Sequence, residues 1–353
     1  MHRELKFSEA IREALDLSLA QDPNVHVMGL GVPDPKGVFG TTLGLQKKYG
    51  AKRVMDMPTS ENAMTGVAIG AALVGIRPVM VHQRIDFALL AIDQIVSQAA
   101  KWHYMFGGKM KLPIVIRLLV GRGWGQGPQH SQSLQAWFAH IPGLKVVMPA
   151  TPHDAKGLLI ASIEDDNPVI FIEHRWLHNT FGEVPEKIYH VPLGEARVTR
   201  DGKDVTIVAT SYSVLEALKA AEIITKKKIE CEVIDVRTLR PLDLPTILKS
   251  VKKTGRLLVA DTGWKFGGFG AEIVSSVTEE LFDKLKTAPR RLGMLDCPVP
   301  TSPALSRHVY PGINEIIAQV YEMMGISQEK LPRLEEASIF SADIPDPQFS
   351  GPF

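Results

Sequence analysis

The chain has 353 residues, of which 45% are hydrophobic and 22% are charged, as in a globular protein of about two domains. A formal net charge of +1 without a long basic run excludes an electrostatic surface for nucleic acid or an anionic membrane, and no apolar run reaches membrane length. The two cysteines, Cys231 and Cys297, are too few and too far apart in sequence to indicate a disulfide framework or a zinc site.

Residues 1–17 form an amphipathic pattern that carries acids and bases together, which is not typical of a signal peptide, and we expect a cytoplasmic protein. Strand-like and helix-like runs then alternate, which favours an α/β fold with mainly parallel sheets. In the first half we predict strands over 24–31, 77–82, 111–120, 144–150 and 167–174. We predict helices over 61–75, over 86–105, and from Pro152 with Thr151 as the N-cap.

The alternation pauses in a stretch rich in proline, glycine and mixed charge, and then a second series begins. The predicted domains are 1–190 and 204–340, joined by a linker over 191–203 and followed by an extended tail over 341–353. We expect the tail to lie over a neighbour's surface. In the second series the strands are predicted over 205–210, 229–236, 256–261 and 290–296, and the helices up to 227, from 243, over 268–285 and over 313–325.

A glycine-rich loop, "GWGQGPQHSQS" over 123–133, follows the predicted strand that ends at Val120. From Gly121 the glycines fall at every second residue, which matches neither G-x-G-x-x-G nor the phosphate-binding P-loop. The loop stands where parallel α/β sheets bind ligands, at the carboxyl end of a strand, and His130 is its titratable side chain. The loop therefore predicts a ligand site built around His130 rather than a phosphate cradle.

Long segments of the chain resemble the beta subunits of thiamine-diphosphate-dependent 2-oxo-acid dehydrogenases, the decarboxylating components of the pyruvate and branched-chain complexes. The resemblance implies two doubly wound α/β domains, a pyrimidine-binding domain followed by a transketolase C-terminal-type domain. It extends in order through nearly the whole chain. The matching segments are "PTSENAMTGVAIGAALVGIRPV", "DFALLAIDQIVSQAAKWHYMFGG", "GPQHSQSLQAWFAHIPGLKVVMPATPHDAKGLL", "DDNPVIFIEH", "IDVRTLRPLDLPTILKSVKKTGRLLVAD" and "GGFGAEI".

The resemblance assigns roles to four residues. Without it, Glu61 would be only an acid in the first turn of a helix and Phe87 a core aromatic. With it, Glu61 hydrogen-bonds the pyrimidine ring of the cofactor and sets its tautomer, Phe87 stacks on that ring, and Gln83 is a further cofactor-binding residue. His130 then lies beside the reactive carbon, so Glu61 and His130 are the predicted catalytic residues.

Polar neighbours of His130 are expected to support the loop rather than react. These are Gln126, Gln129 and Gln132.

The chain lacks the Gly-Asp-Gly segment, with its downstream asparagine, that holds magnesium and diphosphate in complete thiamine-diphosphate enzymes. The resemblance therefore implies an alpha subunit that supplies the magnesium ligands and shares the cofactor, in a heterotetramer with two copies of each subunit. The segment "ASIEDDNPVI" also matches one that wraps a potassium ion in relatives, although a plain helix-to-strand turn explains its residues almost as well. The matched potassium positions are Ile114, Ser162, Asp165 and Asn167.

The chain departs from the pyruvate-type pattern around the expected site. It carries His82 and Arg84 where relatives have a Glu-Phe-Met-Thr-Phe run, Arg122 in the altered loop, and Thr262 in place of an expected glutamate. Three basic or potentially basic groups near the site favour an anionic or hydroxylated substrate.

The sequence thus predicts the beta subunit of an enzyme that decarboxylates a small 2-oxo acid and passes the acyl group to lipoyl-lysine, with a lipoyl acyltransferase as a further partner. The first competing hypothesis is a split transketolase-like enzyme that transfers a ketol or acyl unit to an aldehyde, which the departures around the loop support. The second is a non-catalytic scaffold subunit, which the presence of Glu61, Phe87 and His130 disfavours.

Overall fold

The computed structural model describes residues 3–326 and 344–345. Of the predicted tail over 341–353, only Ile344 and Pro345 are among the described residues. Residues 327–340, the end of the predicted second domain, also lie outside the described residues. Within the described residues the strands are β1 (Glu4–Lys6), β2 (Val25–Gly29), β3 (Val54–Met55), β4 (Arg77–His82), β5 (Val115–Val120), β6 (Lys145–Val147), β7 (Val169–His174), β8 (Phe181–Glu183), β9 (Arg197–Arg200), β10 (Val205–Ala209), β11 (Cys231–Asp235), β12 (Thr238–Arg240), β13 (Leu257–Trp264) and β14 (Arg290–Met294).

The same part of the chain contains α-helices of very different lengths, and none is long and apolar enough to span a bilayer. Short 3₁₀ turns cover Leu89–Ala91, Arg175–Leu177 and Phe282–Lys284, and a π-helical segment covers Gln94–Ala99. The α-helices are α1 (Phe7–Gln21), α2 (Leu45–Tyr49), α3 (Glu61–Leu73), α4 (Ile85–Ala88), α5 (Ala100–Met105), α6 (Gln135–His140), α7 (Pro152–Glu164), α8 (Tyr212–Thr225), α9 (Leu244–Thr254), α10 (Phe269–Leu281), α11 (Pro303–Ser306) and α12 (Ile313–Met323).

A seven-stranded sheet organises the first half of the chain, in the order β12-β6-β7-β5-β4-β2-β3. All neighbours run parallel except β12, which is antiparallel to β6. Successive residues of β4 point to opposite faces: Val79 and Val81 pack into the core that includes α1 and α7, and Met80 packs into the core that includes α3. Helices on both faces of a mainly parallel sheet confirm the predicted α/β class.

A five-stranded sheet organises the second half, in the order β14-β13-β10-β11-β9. Its first four strands are parallel, and β9 is antiparallel to β11. Strand β9 lies within residues 191–203, the stretch expected to be a linker. Strand β12, although it belongs to the second half of the chain, pairs with the first sheet, so the two halves share backbone hydrogen bonds.

Two predicted helices show how local sequence sets their form. Thr151 caps α7 as predicted, because its Oγ1 accepts a hydrogen bond from the Asp154 N–H at 3.1 Å and Pro152 occupies the first turn. The helix predicted over 86–105 is a continuous helical run from Ile85 to Met105, interrupted by the 3₁₀ turn and the π-helical segment. Such π-helical segments are rare and are frequently found at functional sites.

A buried ion pair crosses the middle of the first sheet. Nε of Arg117, on β5, donates to a carboxylate oxygen of Glu173, on β7, at 2.6 Å, and both side chains are 0% exposed. Burial on its own would raise the pKa of Glu173, but the charge of Arg117 holds that pKa below its usual value. Arg117 also donates to Thr41 Oγ1 at 3.1 Å, so the pair ties the loop after β2 to the sheet.

We expect Arg117→Met to lower the free energy of unfolding by about 3–5 kcal/mol, because it leaves the Glu173 carboxylate buried without its cation. The double variant Arg117→Met, Glu173→Met should recover most of that loss, since two apolar side chains replace both charges. Urea unfolding of the wild type and the two variants measures the difference. A single variant as stable as the wild type would show that the pair does not hold the sheet together.

Candidate functional site

The candidate site lies at the carboxyl edge of the first sheet. Strands β4 and β5 are parallel, with His82 opposite Leu118, so the segments that follow them emerge side by side. The segment after β4 leads into α4, and the segment after β5 is the glycine-rich loop. The fold therefore brings the predicted residues of these two segments to one edge.

Glu61 begins α3 and is buried, with 8% of its surface exposed. Within residues 3–326 and 344–345 its carboxylate has no hydrogen-bond or ion-pair partner. One turn further on, Thr65 Oγ1 lies 3.2 Å from Nε2 of His82, which fixes the start of α3 against the end of β4. A buried carboxylate at a helix N-terminus, without a protein partner, is suited to bind a polar ligand.

Phe87 and His130 meet although they come from different segments. Their ring centroids are 5.4 Å apart with an interplanar angle of 88°, an edge-to-face contact. Phe87 lies on α4, and both rings are half-buried. The structure thus brings together the predicted stacking residue and the predicted catalytic histidine.

The glycines of the loop serve its backbone. Gly123, Gly125 and Gly127 all have positive φ, of 60°, 68° and 67°, a region that favours glycine. Gly121 has a different role, because a Cβ there would lie 2.1 Å from the carbonyl oxygen of His130. The glycines at every second residue therefore allow the loop to fold back on itself, with the His130 peptide packed against Gly121 directly after β5.

One of the three glutamines expected to support the loop does so. Asp86 Oδ1 accepts hydrogen bonds from the side chain of Gln132 at 2.9 Å and from its backbone N–H at 3.3 Å. Burial raises the pKa of Asp86. For Gln126 and Gln129 the expectation is wrong, because the buried amide atoms of Gln126 have no hydrogen-bond partner and Gln129 is exposed without one in the described part of the chain.

Gln83 is turned towards the loop after β2. Its Nε2 donates to the carbonyl oxygen of Leu30 at 2.9 Å and lies so close to Gly31 that a Cβ there would be 2.6 Å away. This bond gives Gln83 a structural role beside the site. A contact between Gln83 and the cofactor stays a prediction.

The basic groups near the site differ in their protonation and in their charge partners. Burial lowers the pKa of His82 to about 4, so this imidazole is neutral at physiological pH. Nη1 of Arg122 lies 3.1 Å from a carboxylate oxygen of Glu216, and its guanidinium packs 4.5 Å from the ring centroid of Trp176. Neither His82 nor Arg122 therefore adds an uncompensated charge to the site.

Arg175, which the sequence did not single out, lies close to Arg84. Their guanidinium carbons are 4.7 and 5.0 Å from the ring centroid of Phe39, and both residues are buried. Burial lowers the pKa of each to about 10, and for Arg175 the charge of Arg84 adds to the effect. The expectation of an anionic or hydroxylated substrate stays a prediction.

The positions matched to a potassium site lie around the turn between α7 and β7. The Ile114 carbonyl accepts the Val169 N–H at 2.9 Å, and the Asp165 carbonyl accepts from Nη1 of Arg77 at 3.1 Å. The Asp165 side chain accepts from Lys145 and from the Asn167 N–H. Ser162 Oγ donates to the Leu158 carbonyl at 2.6 Å.

Over the described residues, no group of three or more His, Cys, Asp or Glu side chains is placed to hold a metal ion. Each of the carbonyls around this turn keeps a second lone pair.

Comparisons with known proteins agree along most of the chain. The family model of the transketolase pyrimidine-binding domain matches residues 3–179, and that of the transketolase C-terminal domain matches residues 194–316. The chain is 45% identical over 334 residues to the acetoin:2,6-dichlorophenolindophenol oxidoreductase subunit beta of Cupriavidus necator, covering 92% of this chain and 98% of that protein. It is 43% identical over 312 residues to the pyruvate dehydrogenase E1 component subunit beta of Rickettsia felis, covering 88% and 96%.

A plant relative and a solved structure extend the comparison. The chain is 42% identical over 319 residues to the mitochondrial pyruvate dehydrogenase E1 component subunit beta-2 of Oryza sativa, covering 89% of this chain and 85% of that one. A structure described as a split gene transketolase, inactive beta4 tetramer, superposes with a TM-score of 0.74 at 22% identity, over 92% of this chain and 99% of that one. At that identity the likeness concerns the fold alone.

Gly121→Ala tests whether the folded-back loop depends on the glycine. The added methyl group overlaps the His130 carbonyl, so we expect the amides of residues 121–133 to exchange with deuterium faster while the sheet keeps its protection. Gly70→Ala is the matched control, since a Cβ at this exposed position of α3 meets nothing within 4 Å. It should leave the loop unchanged and stabilise the helix by about 1 kcal/mol. Equal loop protection in all three proteins would contradict the role of Gly121.

Proposed function

Since the chain belongs to the family of pyruvate dehydrogenase E1 beta subunits, we propose that it is the beta subunit of a thiamine-diphosphate-dependent 2-oxo-acid dehydrogenase-like enzyme. The reaction is the oxidative decarboxylation of a 2-oxo acid with transfer of the acyl group to lipoyl-lysine. The observation that carries the proposal is the buried Glu61 carboxylate, which has no protein partner in the described residues and begins the helix that contacts the end of β4 through Thr65 and His82.

These residues fit the aminopyrimidine half of thiamine diphosphate. The cofactor, when bound, supplies the carbon that reacts with the oxo acid, and the protein orients it. The Glu61 carboxylate would hold a proton at the pyrimidine ring nitrogen, and the Phe87 ring would stack on the pyrimidine. The half-buried imidazole of His130 would move a proton at the substrate during acyl transfer.

The diphosphate half of the site is assigned to an alpha subunit, which would also carry the magnesium ligands in a tetramer with two copies of each subunit. Exposed apolar side chains along α3 support a partner on this side of the molecule: Val67, on the helix that begins with Glu61, is 56% exposed, and Val74, directly after the helix, is 81% exposed. The nearby Leu90, on the 3₁₀ turn against which α3 packs, is 67% exposed. Exposed large apolar side chains are typical of a protein interface.

Several finer points stay predictions within the proposal. These are the domain bounds 1–190 and 204–340, a lipoyl acyltransferase partner, the absence of nucleic-acid and membrane partners, and a cytoplasmic location.

A potassium ion would bind through Ile114, Ser162, Asp165 and Asn167. A higher unfolding temperature in potassium chloride than in sodium chloride at equal ionic strength would support potassium binding, and equal unfolding temperatures would contradict it.

Ketol transfer to an aldehyde is the competing function, and the departures around the loop were its support. The relatives that match over most of the chain are named as oxidoreductase and dehydrogenase subunits, which favours an oxidative reaction over ketol transfer. The transketolase likeness is one of fold.

Assembly with the partner tests the proposal directly. We expect the purified chain alone to decarboxylate no 2-oxo acid, and the chain combined with its alpha subunit to reduce 2,6-dichlorophenolindophenol when a 2-oxo acid, thiamine diphosphate and magnesium are supplied. Each subunit alone and the mixture without cofactor are the controls. Turnover by a partner-free preparation would defeat the shared-site proposal, and ketol transfer to an aldehyde without dye reduction would favour the competing function.

A further inference from the structure

The loop that carries His130 is held from the second domain as well as from the first. Ser133 Oγ donates to Gln135 Oε1 at 2.7 Å, and Gln135 Nε2 donates to Asp261 Oδ1 at 2.7 Å. Asp261 is part of β13, which lies between β14 and β10 in the second sheet. A continuous chain of hydrogen bonds therefore runs from the second sheet to the third residue after His130.

Two further contacts fix this chain of bonds. Thr210, at the end of β10, donates through Oγ1 to the same Asp261 oxygen at 2.8 Å. The hydroxyls of Thr262 and Ser133 lie 3.0 Å apart. Gly263 allows the loop to come this close, because a Cβ there would lie 2.8 Å from Gln135 Nε2.

All the groups in this network are buried, and burial raises the pKa of Asp261. A buried polar network of this kind defines one geometry when its members are satisfied. Within the described residues the second carboxylate oxygen of Asp261 and the hydroxyl of Ser131 have no hydrogen-bond partner, and both residues line a cavity of about 10 Å³.

We propose that Asp261 and Thr262 of the second domain are positioning residues that set the His130 loop for acyl transfer. This inference rests on the proposed function of His130. The second domain then acts on the transfer step through the loop, whereas Glu61 serves the cofactor from the first domain. Substitution of Asp261 should therefore affect acyl transfer without affecting cofactor activation.

Asp261→Ala removes the acceptor that Gln135 and Thr210 share. In the enzyme assembled with its alpha subunit we expect kcat for acyl transfer to a free lipoyl domain to fall by about 10²-fold, the effect of a displaced catalytic group. The KM for the 2-oxo acid and the exchange of the thiazolium C2 proton should stay at wild-type values. Asp261→Asn keeps a side-chain carbonyl for Gln135 and Thr210 and should restore the transfer rate.

Amide hydrogen exchange of the chain alone gives a measure that does not depend on turnover. Residues 131–135 should lose protection in Asp261→Ala and, to a smaller extent, in Thr262→Val, and should keep it in Asp261→Asn. Thr206→Val is the matched control, because Thr206 Oγ1 belongs to another buried hydroxyl network of the same sheet, 2.7 Å from Ser250 Oγ. It should leave residues 131–135 unchanged.

Unchanged protection of residues 131–135 in Asp261→Ala would overturn the inference, and so would an equal loss of C2-proton exchange and acyl transfer. A wild-type enzyme that does not transfer an acyl group, with the loop still released in Asp261→Ala, would overturn the proposed function and the catalytic part of the inference. The contact between the domains would then have a structural role only. The two failures are therefore distinguishable.

Discussion

The parallel pairing of β4 with β5 determines where the chemistry of this protein can occur. With His82 opposite Leu118, both strands end at one edge of the sheet, and the segments that follow them must share the space beyond it. The segment after β4 carries Phe87, and the segment after β5 carries His130. Their ring contact is a consequence of this register, and a shift by one residue would turn every side chain of the strand to the opposite face.

The second domain helps to fix the glycine-rich loop that follows β5 of the first sheet. The glycine-rich loop is bound by Asp86 on one side and, through Ser133 and Gln135, by Asp261 on the other. Arg122, at the start of the loop, pairs with Glu216 on α8 and so adds another link between the domains. The loop that carries the histidine is therefore held by both halves of the chain.

Much of the framework could be predicted from the sequence because it depends on local patterns. The strands alternate with helices in the expected order, and Thr151 caps its helix through its own neighbours. Glu61 at the start of α3 could be placed for the same reason. The family resemblance, rather than periodicity, assigned a role to His130.

The remaining features depend on contacts between distant parts of the chain. Strand β12 joins the first sheet from the second half, and three residues are too few to show a pattern. Arg175 becomes relevant only because the fold brings it to Phe39 and near Arg84. Gln126 and Gln132 look equivalent in sequence, and only the position of Asp86 makes one of them an anchor.

We infer that Glu61 serves the cofactor and is more than a helix cap. The most direct measurement is the rate at which the thiazolium C2 proton exchanges with deuterium in the enzyme assembled with its alpha subunit. Glu61→Gln keeps the size of the side chain and costs α3 about 0.3–1 kcal/mol of dipole stabilisation, but an amide cannot share a proton with the ring nitrogen. Glu272→Gln, in the first turn of α10, is the control for that loss of charge. We expect exchange to slow sharply in Glu61→Gln and to stay unchanged in Glu272→Gln, with both variants still assembled. Exchange at the wild-type rate in Glu61→Gln would contradict a role for Glu61 in cofactor activation.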